Sequence, residues 1–408
     1  MTQPGVDLSA RPRIRQDVAF GPGLRAGDTA VYHVKDHATG WYYKLGPREH
    51  FVLSRMDGEH SLDDINAEYI AAFGKRLGPQ SWEQIFGLLH RRRLLGDTSD
   101  ADLAELERLR AAAAAETKRS RSTLLLKRFP LVNPDRLLGL LAPRAGLLFS
   151  PRFVVPVLVA TCGVWALVAS QWREIWEQMQ VHRGAPLYIA LVLAVSWVIH
   201  AVHEFAHGLA CKRFGGNVPE IGVMWRFPLF VPYCRADDVM LFPARRHRVF
   251  TAFAGVFASL TLSVLFAGLW LVAPEGSTAK AFAGSMVLFT SLASLVNFIP
   301  FLRLDGYYML THALGLADLR VETYKFWGHL LRRRMAEVRG YRRRDLWTYV
   351  AYGVGSALFA AALAGTIFTL WFTRLSGWLG PVPAAAILTA EAALIITLIV
   401  YARRRKRS

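Results

Sequence analysis

The sequence predicts a polytopic α-helical membrane protein, with about six transmembrane helices and an N-terminal α+β, winged-helix-like cytoplasmic domain. Three observations predict it. The 408 residues are 53% hydrophobic, with a mean hydropathy of +0.24. Lys and Arg (49) exceed Asp and Glu (31), a net charge of +18. The apolar residues are also gathered into long runs that the first 98 residues lack. A chain both oily and basic is a poor fit to a water-soluble globule or a disordered polymer. Three cysteines without a CxxC pair (Cys162, Cys211 and Cys234) give no disulfide framework and no thiolate zinc knuckle.

Residues 1–98 hold 13 basic and 12 acidic side chains. Aromatic and β-branched residues at 28–34 and 41–45, separated by His37-Ala38-Thr39-Gly40, predict a β-hairpin. Helices are expected over 47–56, 61–73 and 80–94, with Ser61 as an N-cap and Gly58, Gly74 and Gly96 as punctuation. Phe51, Leu53, Leu62, Ile65, Tyr69, Ile70, Ile85, Leu88, Leu89, Leu94 and Leu95 suffice for a small core. The domain is nearly neutral and has no basic stripe, so nucleic acid is not an expected partner.

Residues 99–150 follow as a helical spacer, centred on Ala111–Ala115, and a Leu- and Arg-containing segment at 123–149 whose composition suits the inner membrane surface. Stretches free of Asp, Glu, Lys and Arg then run over 153–172, 184–203, 249–274, 281–302 and 346–373, each near or above the ~20 residues needed to cross hydrocarbon. A sixth span, 380–402, is broken by Glu391 and ends at Arg403-Arg404-Arg405-Lys406-Arg407. The segments 212–248, 303–345 and 403–408 carry 22 basic residues, against Arg173, Arg183, Lys280 and Arg374 in the opposite loops. The positive-inside rule then puts both termini in the cytoplasm, with anionic lipids of that leaflet as partners. The expected divisions are 1–98, 99–150, a core at 151–310, a basic loop at 311–345 and a terminal pair of spans with a basic tail at 346–408.

The second span ends His200-Ala201-Val202-His203-Glu204-Phe205-Ala206-His207, an HExxH motif. One helical turn separates His203 from His207, so both imidazoles reach one ion and Glu204 stands beside them. Such residues are costly in hydrocarbon, so the cluster reads as a functional site; a proton or ion path is the competing reading. Two histidines leave zinc short of a protein ligand. Asp305, at the end of the fourth span in Asn297-Phe298-Ile299-Pro300-Phe301-Leu302-Arg303-Leu304-Asp305-Gly306, can lie at similar depth, though taken alone it reads better as a simple helix C-terminal boundary. Pro300 is expected to kink this span beside Asn297. Between the motifs, Asn217–Pro243 is rich in β-formers and is expected to form a membrane-level hairpin with an edge for substrate, or an aromatic interfacial belt. His200 is more readily a packing histidine than a fourth ligand. Glu391 could pair or line a water path, and Asp237-Asp238 read as solvated.

HExxH followed by Asn-x-x-Pro-x-x-x-Leu-Asp-Gly resembles the paired signatures of the site-two protease family of intramembrane zinc metallopeptidases, over residues 186–310. The resemblance implies that His203, His207 and Asp305 bind Zn²⁺, that Glu204 activates water, and that Asn297 orients substrate or oxyanion. Where that family often has Gly-Pro-x-x-Asn, this chain has Gly255-Val256-Phe257-Ala258-Ser259. Trp41-Tyr42-Tyr43-Lys44-Leu45-Gly46, Met56-Asp57-Gly58-Glu59-His60-Ser61-Leu62-Asp63-Asp64-Ile65 and Arg91-Arg92-Arg93-Leu94-Leu95 resemble the pyrroloquinoline-quinone peptide chaperone and related recognition elements of ribosomally made peptide (RiPP) pathways, which take up a leader peptide as an added strand.

Together the two resemblances imply a bacterial cytoplasmic-membrane metalloprotease that binds a RiPP precursor and removes its leader, with export as a step it could be coupled to, similar to the zinc metallopeptidases of daptide-type systems. The alternatives are regulated intramembrane proteolysis of a membrane-bound regulator, and a non-proteolytic peptide exporter or immunity component.

Overall fold

The computed structural model describes residues 7–96, 99–121, 126–182, 184–226 and 229–405. The domain border at 98, the start of the 123–149 segment, Arg183, Phe227 and Pro228 of the expected membrane-level hairpin, and Lys406-Arg407 of the basic tail lie outside the described residues. The chain divides into two compact units, Met1–Leu319 and Arg320–Ser408.

The first unit begins with β1 (Val18–Phe20), β2 (Leu24–Ala26), β3 (Thr29–Asp36) and β4 (Trp41–Leu45). All three other strands pair antiparallel with β3. The expected hairpin is therefore present, and β1 and β2 extend it. Its turn is held by Asp36, whose carboxylate accepts from Ala38 N at 3.1 Å and Thr39 Oγ1 at 2.6 Å. Three helices follow: α1 (Pro47–Leu53), α2 (Leu62–Phe73) and α3 (Pro79–Arg91). Ser61 caps α2 reciprocally, since its hydroxyl accepts from Asp64 N at 3.1 Å while Asp64 Oδ2 accepts from Ser61 N at 2.9 Å.

Val34, Tyr43, Leu53, Leu62, Ile65, Trp82 and Leu89 form the buried core. Ile70, expected in that core, is 43% exposed; it lies at the flank of the α2 stripe that Leu62, Ile65 and Tyr69 make at i, i+3 and i+7. The spacer forms α4 (Asp100–Arg121). It turns back on the domain, with the Arg110 guanidinium donating to Tyr43 Oη at 3.1 Å and to the Arg92 carbonyl at 3.3 Å.

Part of the segment assigned to the membrane surface is a strand instead. β5 (Leu126–Val132) precedes α5 (Asp135–Leu141) and pairs antiparallel with the later hairpin of β6 (Ile221–Arg226) and β7 (Leu229–Cys234), in the order β5-β6-β7. Pro130 is accommodated where the register shifts on this outer strand, the position in a sheet where a missing N–H is tolerated.

α6 (Pro151–Ser170), α7 (Trp172–His182), α8 (Pro186–Arg213), α9 (Arg245–Val272), α10 (Thr278–Asn297) and α11 (Asp305–Leu314) complete this unit. Of these, α6, α8, α9 and α10 are long and apolar enough to cross a membrane. α9 packs against α6, α8, α10 and α11 and so sits at the centre of the bundle. Pro300 does not kink a continuous helix as expected. α10 ends at Asn297, and the proline falls in the turn leading to α11.

The second unit takes in α12 (Leu319–Leu331) from its second residue on, α13 (Met335–Gly340), α14 (Arg343–Leu379) and α15 (Pro381–Arg405). α14 is the fifth helix of spanning length. The expected sixth is shorter among the described residues, where the apolar stretch runs over Pro381–Leu394. α14 packs on α15, and Glu391 is exposed.

Candidate metal centre

α8 carries His203 and His207 one turn apart, and α11 begins at Asp305. Ligand atoms of these three side chains lie within 4.8 Å of one another. The edges of the triangle are 3.2 Å between the two Nε2 atoms, 2.9 Å from His203 Nε2 to Asp305 Oδ2, and 3.3 Å from His207 Nε2 to Asp305 Oδ1. A tetrahedral ion with bonds of about 2.0–2.1 Å holds its ligands about 3.3 Å apart. Two imidazoles and a carboxylate at this spacing therefore fit a divalent cation, with a fourth position left for water or substrate. Burial alone would raise the Asp305 carboxyl, but the adjoining imidazoles, His207 foremost, outweigh it and hold the group well below the usual carboxylate range.

α9 orients both ligands. His207 Nδ1 donates to the Thr251 carbonyl at 2.7 Å, and His203 Nδ1 pairs with Ser259 Oγ at 3.0 Å. With Nδ1 engaged, each Nε2 is the nitrogen presented to the cation. Between these two contacts Gly255 lies against the imidazoles: a Cβ there would stand 2.3 Å from His207 Nε2 and 2.6 Å from His203 Nε2. Thr251, Gly255 and Ser259 are four residues apart and form one stripe of α9. This stripe of α9 thus faces the two imidazoles.

Glu204 lies on the cavity wall with His207 and Asp305. Its Oε2 accepts from the Cys234 backbone N–H at 3.0 Å, so the end of β7 holds it in place. Asp305 is set by the short loop from α10. Gly306 packs so closely on the end of α10 that a Cβ would be 2.4 Å from the Phe298 carbonyl oxygen. Asn297 is the last residue of α10 and is not among the residues lining the cavity. His200 stacks on His203 with ring centroids 5.9 Å apart and is outside the ligand group.

The cavity, of about 490 Å³, has walls that sequence reasoning missed. His33 and Tyr42, from the N-terminal hairpin, line it together with Tyr308 and His312 of α11. The hairpin is fastened there through Asp238. Lys35 Nζ donates to its carboxylate at 2.7 and 2.8 Å, the Tyr42 hydroxyl donates to it as well, and so does Asn217 N at 2.7 Å. Asp238, expected in solvent, is 3% exposed; Asp237 does remain outside and pairs with Arg235. β2 makes a second attachment, with Arg25 N donating to the Gly315 carbonyl at 3.0 Å and Ala317 N donating to the Arg25 carbonyl at 2.9 Å, just beyond α11.

His33 and His312 are buried, and Nδ1 of each has no hydrogen-bond partner. Leaving such a group unpaired costs about 1–3 kcal/mol. Burial pushes each imidazole down to about 4, helped by Lys44 for His33 and by Arg248 for His312, so both are neutral near pH 7.

Comparison of the chain with protein-family models, curated proteins and solved structures gives no match. Its site is therefore characterised by geometry: three side chains that could hold a metal ion, with a carboxylate on the same wall, at the end of a helix long and apolar enough to cross a membrane.

Proposed function

We propose that this chain is an intramembrane zinc metalloprotease of the bacterial cytoplasmic membrane, with both termini cytoplasmic, that removes the leader from a ribosomally made precursor peptide. The observation that carries the reading is the convergence of His203, His207 and Asp305 within 4.8 Å, with Glu204 lining the same cavity. Zinc held by these residues would supply Lewis acidity, polarising a carbonyl and lowering the pKa of water. Glu204, held by the Cys234 amide, takes the proton from the attacking water and returns it to the leaving amine. Ser259 and Thr251 keep the imidazoles in orientation. β7 ends the β5-β6-β7 sheet and reaches Glu204, so a substrate extended along its edge would be presented to the site as a strand rather than a helix.

The winged-helix-like reading of residues 1–98 as a RiPP recognition element is supported by the attachment of their hairpin to the catalytic wall. Recognition and cleavage then share one cavity. The same attachment makes deletion of the domain uninformative, because it would also remove His33 and Tyr42 from that wall.

Substitution of Glu204→Gln is the direct test. Zinc stoichiometry of the purified protein should stay at that of the wild type, and cleavage of a precursor peptide should fall by about 10²–10⁴-fold. Undiminished peptide export by the same variant, with no cleavage by either form, would establish the exporter reading instead.

A further inference from the structure

The polar face of the β3–β4 hairpin should by its alternation be solvated, yet His33 is 7% and Lys35 is 6% exposed. Lys35 is accounted for by Asp238. His33 is not: it lines the cavity with one ring nitrogen unpartnered. His312 lines the same cavity and also has one ring nitrogen unpartnered. Asp305, Tyr308 and His312 stand at i, i+3 and i+7 of α11, and this face of the helix lines the cavity from the metal ligand outward. A packing histidine inside a protein normally satisfies both ring nitrogens, and here neither Nδ1 does so. A neutral imidazole has one N–H to donate and one lone pair to accept, the complement of a peptide backbone.

We propose that His33 and His312 form a subsite for the backbone of an extended peptide, hydrogen-bonding a carbonyl next to the bond being cut. The N-terminal domain thereby contributes a substrate-touching residue to the reaction cavity. This rests on the metalloprotease reading and adds to it a specificity element drawn from two parts of the chain 279 positions apart (312 − 33).

The test compares two ligands on the zinc-loaded full chain in detergent micelles. Acetohydroxamate can hold only the metal, whereas a hydroxamate-capped tripeptide also reaches the cavity wall. His33→Ala and His312→Ala should each weaken the tripeptide hydroxamate about tenfold, the size of one hydrogen bond, and leave acetohydroxamate affinity and zinc content unchanged. His33→Asn, which keeps a side-chain N–H, should recover part of the loss. Equal tripeptide affinity in wild type and both alanine variants would overturn the subsite. Loss of acetohydroxamate binding or zinc in the variants would also overturn it, by making the role structural. Failure of the wild type to bind either hydroxamate would instead sink the metalloprotease reading itself, and the subsite with it.

Discussion

The two faces of β3 between His33 and Asp36 are both buried, and for opposite reasons. Val34, Tyr43 and Leu45 point into the core of their own domain, where removal of apolar surface from water suffices to hold them. His33, Lys35 and Tyr42 point the other way and are covered by the loops that surround the cation site. A half-buried antiparallel sheet usually shows water its polar side. Here that side is polar where it lines a cavity that also holds Glu204, His207 and Asp305. The lesson is that an amphipathic strand identifies its apolar face reliably, but its polar face can belong either to solvent or to a site built by distant residues.

Three substitutions probe that contrast, in falling order of effect. Lys35→Ala strands the buried Asp238 carboxylate without its cation and should cost about 3–5 kcal/mol, read as chemical denaturation in detergent. A loss under about 1 kcal/mol would place the pair in the weak class of surface bridges and break the distinction between the faces. Val34→Ala, on the apolar side of the same strand, should cost about 2 kcal/mol through lost burial and a small cavity, with zinc affinity unmoved. Changed zinc affinity in that variant would show that the two faces are not independent. Ser61→Ala touches neither face and removes only the α2 cap, so about 1 kcal/mol is expected and sets the baseline for a local change.

What could be read in advance follows from distance along the chain. His203, Glu204 and His207 fall within five consecutive residues, so helical spacing alone put them together. Asp305 came within reach only through the counting of spans and the likeness to a family motif. Lys35 and Asp238 lie 203 positions apart and carry no local signature of each other, which is why Asp238 read as solvated. Thr251, Gly255 and Ser259 did have a legible four-residue spacing, but small residues in an apolar helix also mark ordinary helix packing. β5 was hidden by Pro130 and by basic residues interleaved with leucines, a composition that suits a membrane surface as well as a sheet margin.

The missing side chain of Gly255 has a consequence for traffic. Backbone of the central helix shuts off one hemisphere of the cation site, at a distance where even a methyl group would collide with both imidazoles. The cavity lies on the side of the three side chains lined by Glu204 and the hairpin residues His33 and Tyr42. If the proposed cleavage uses that side for entry and exit alike, one fragment would have to clear the threshold before the next chain is admitted.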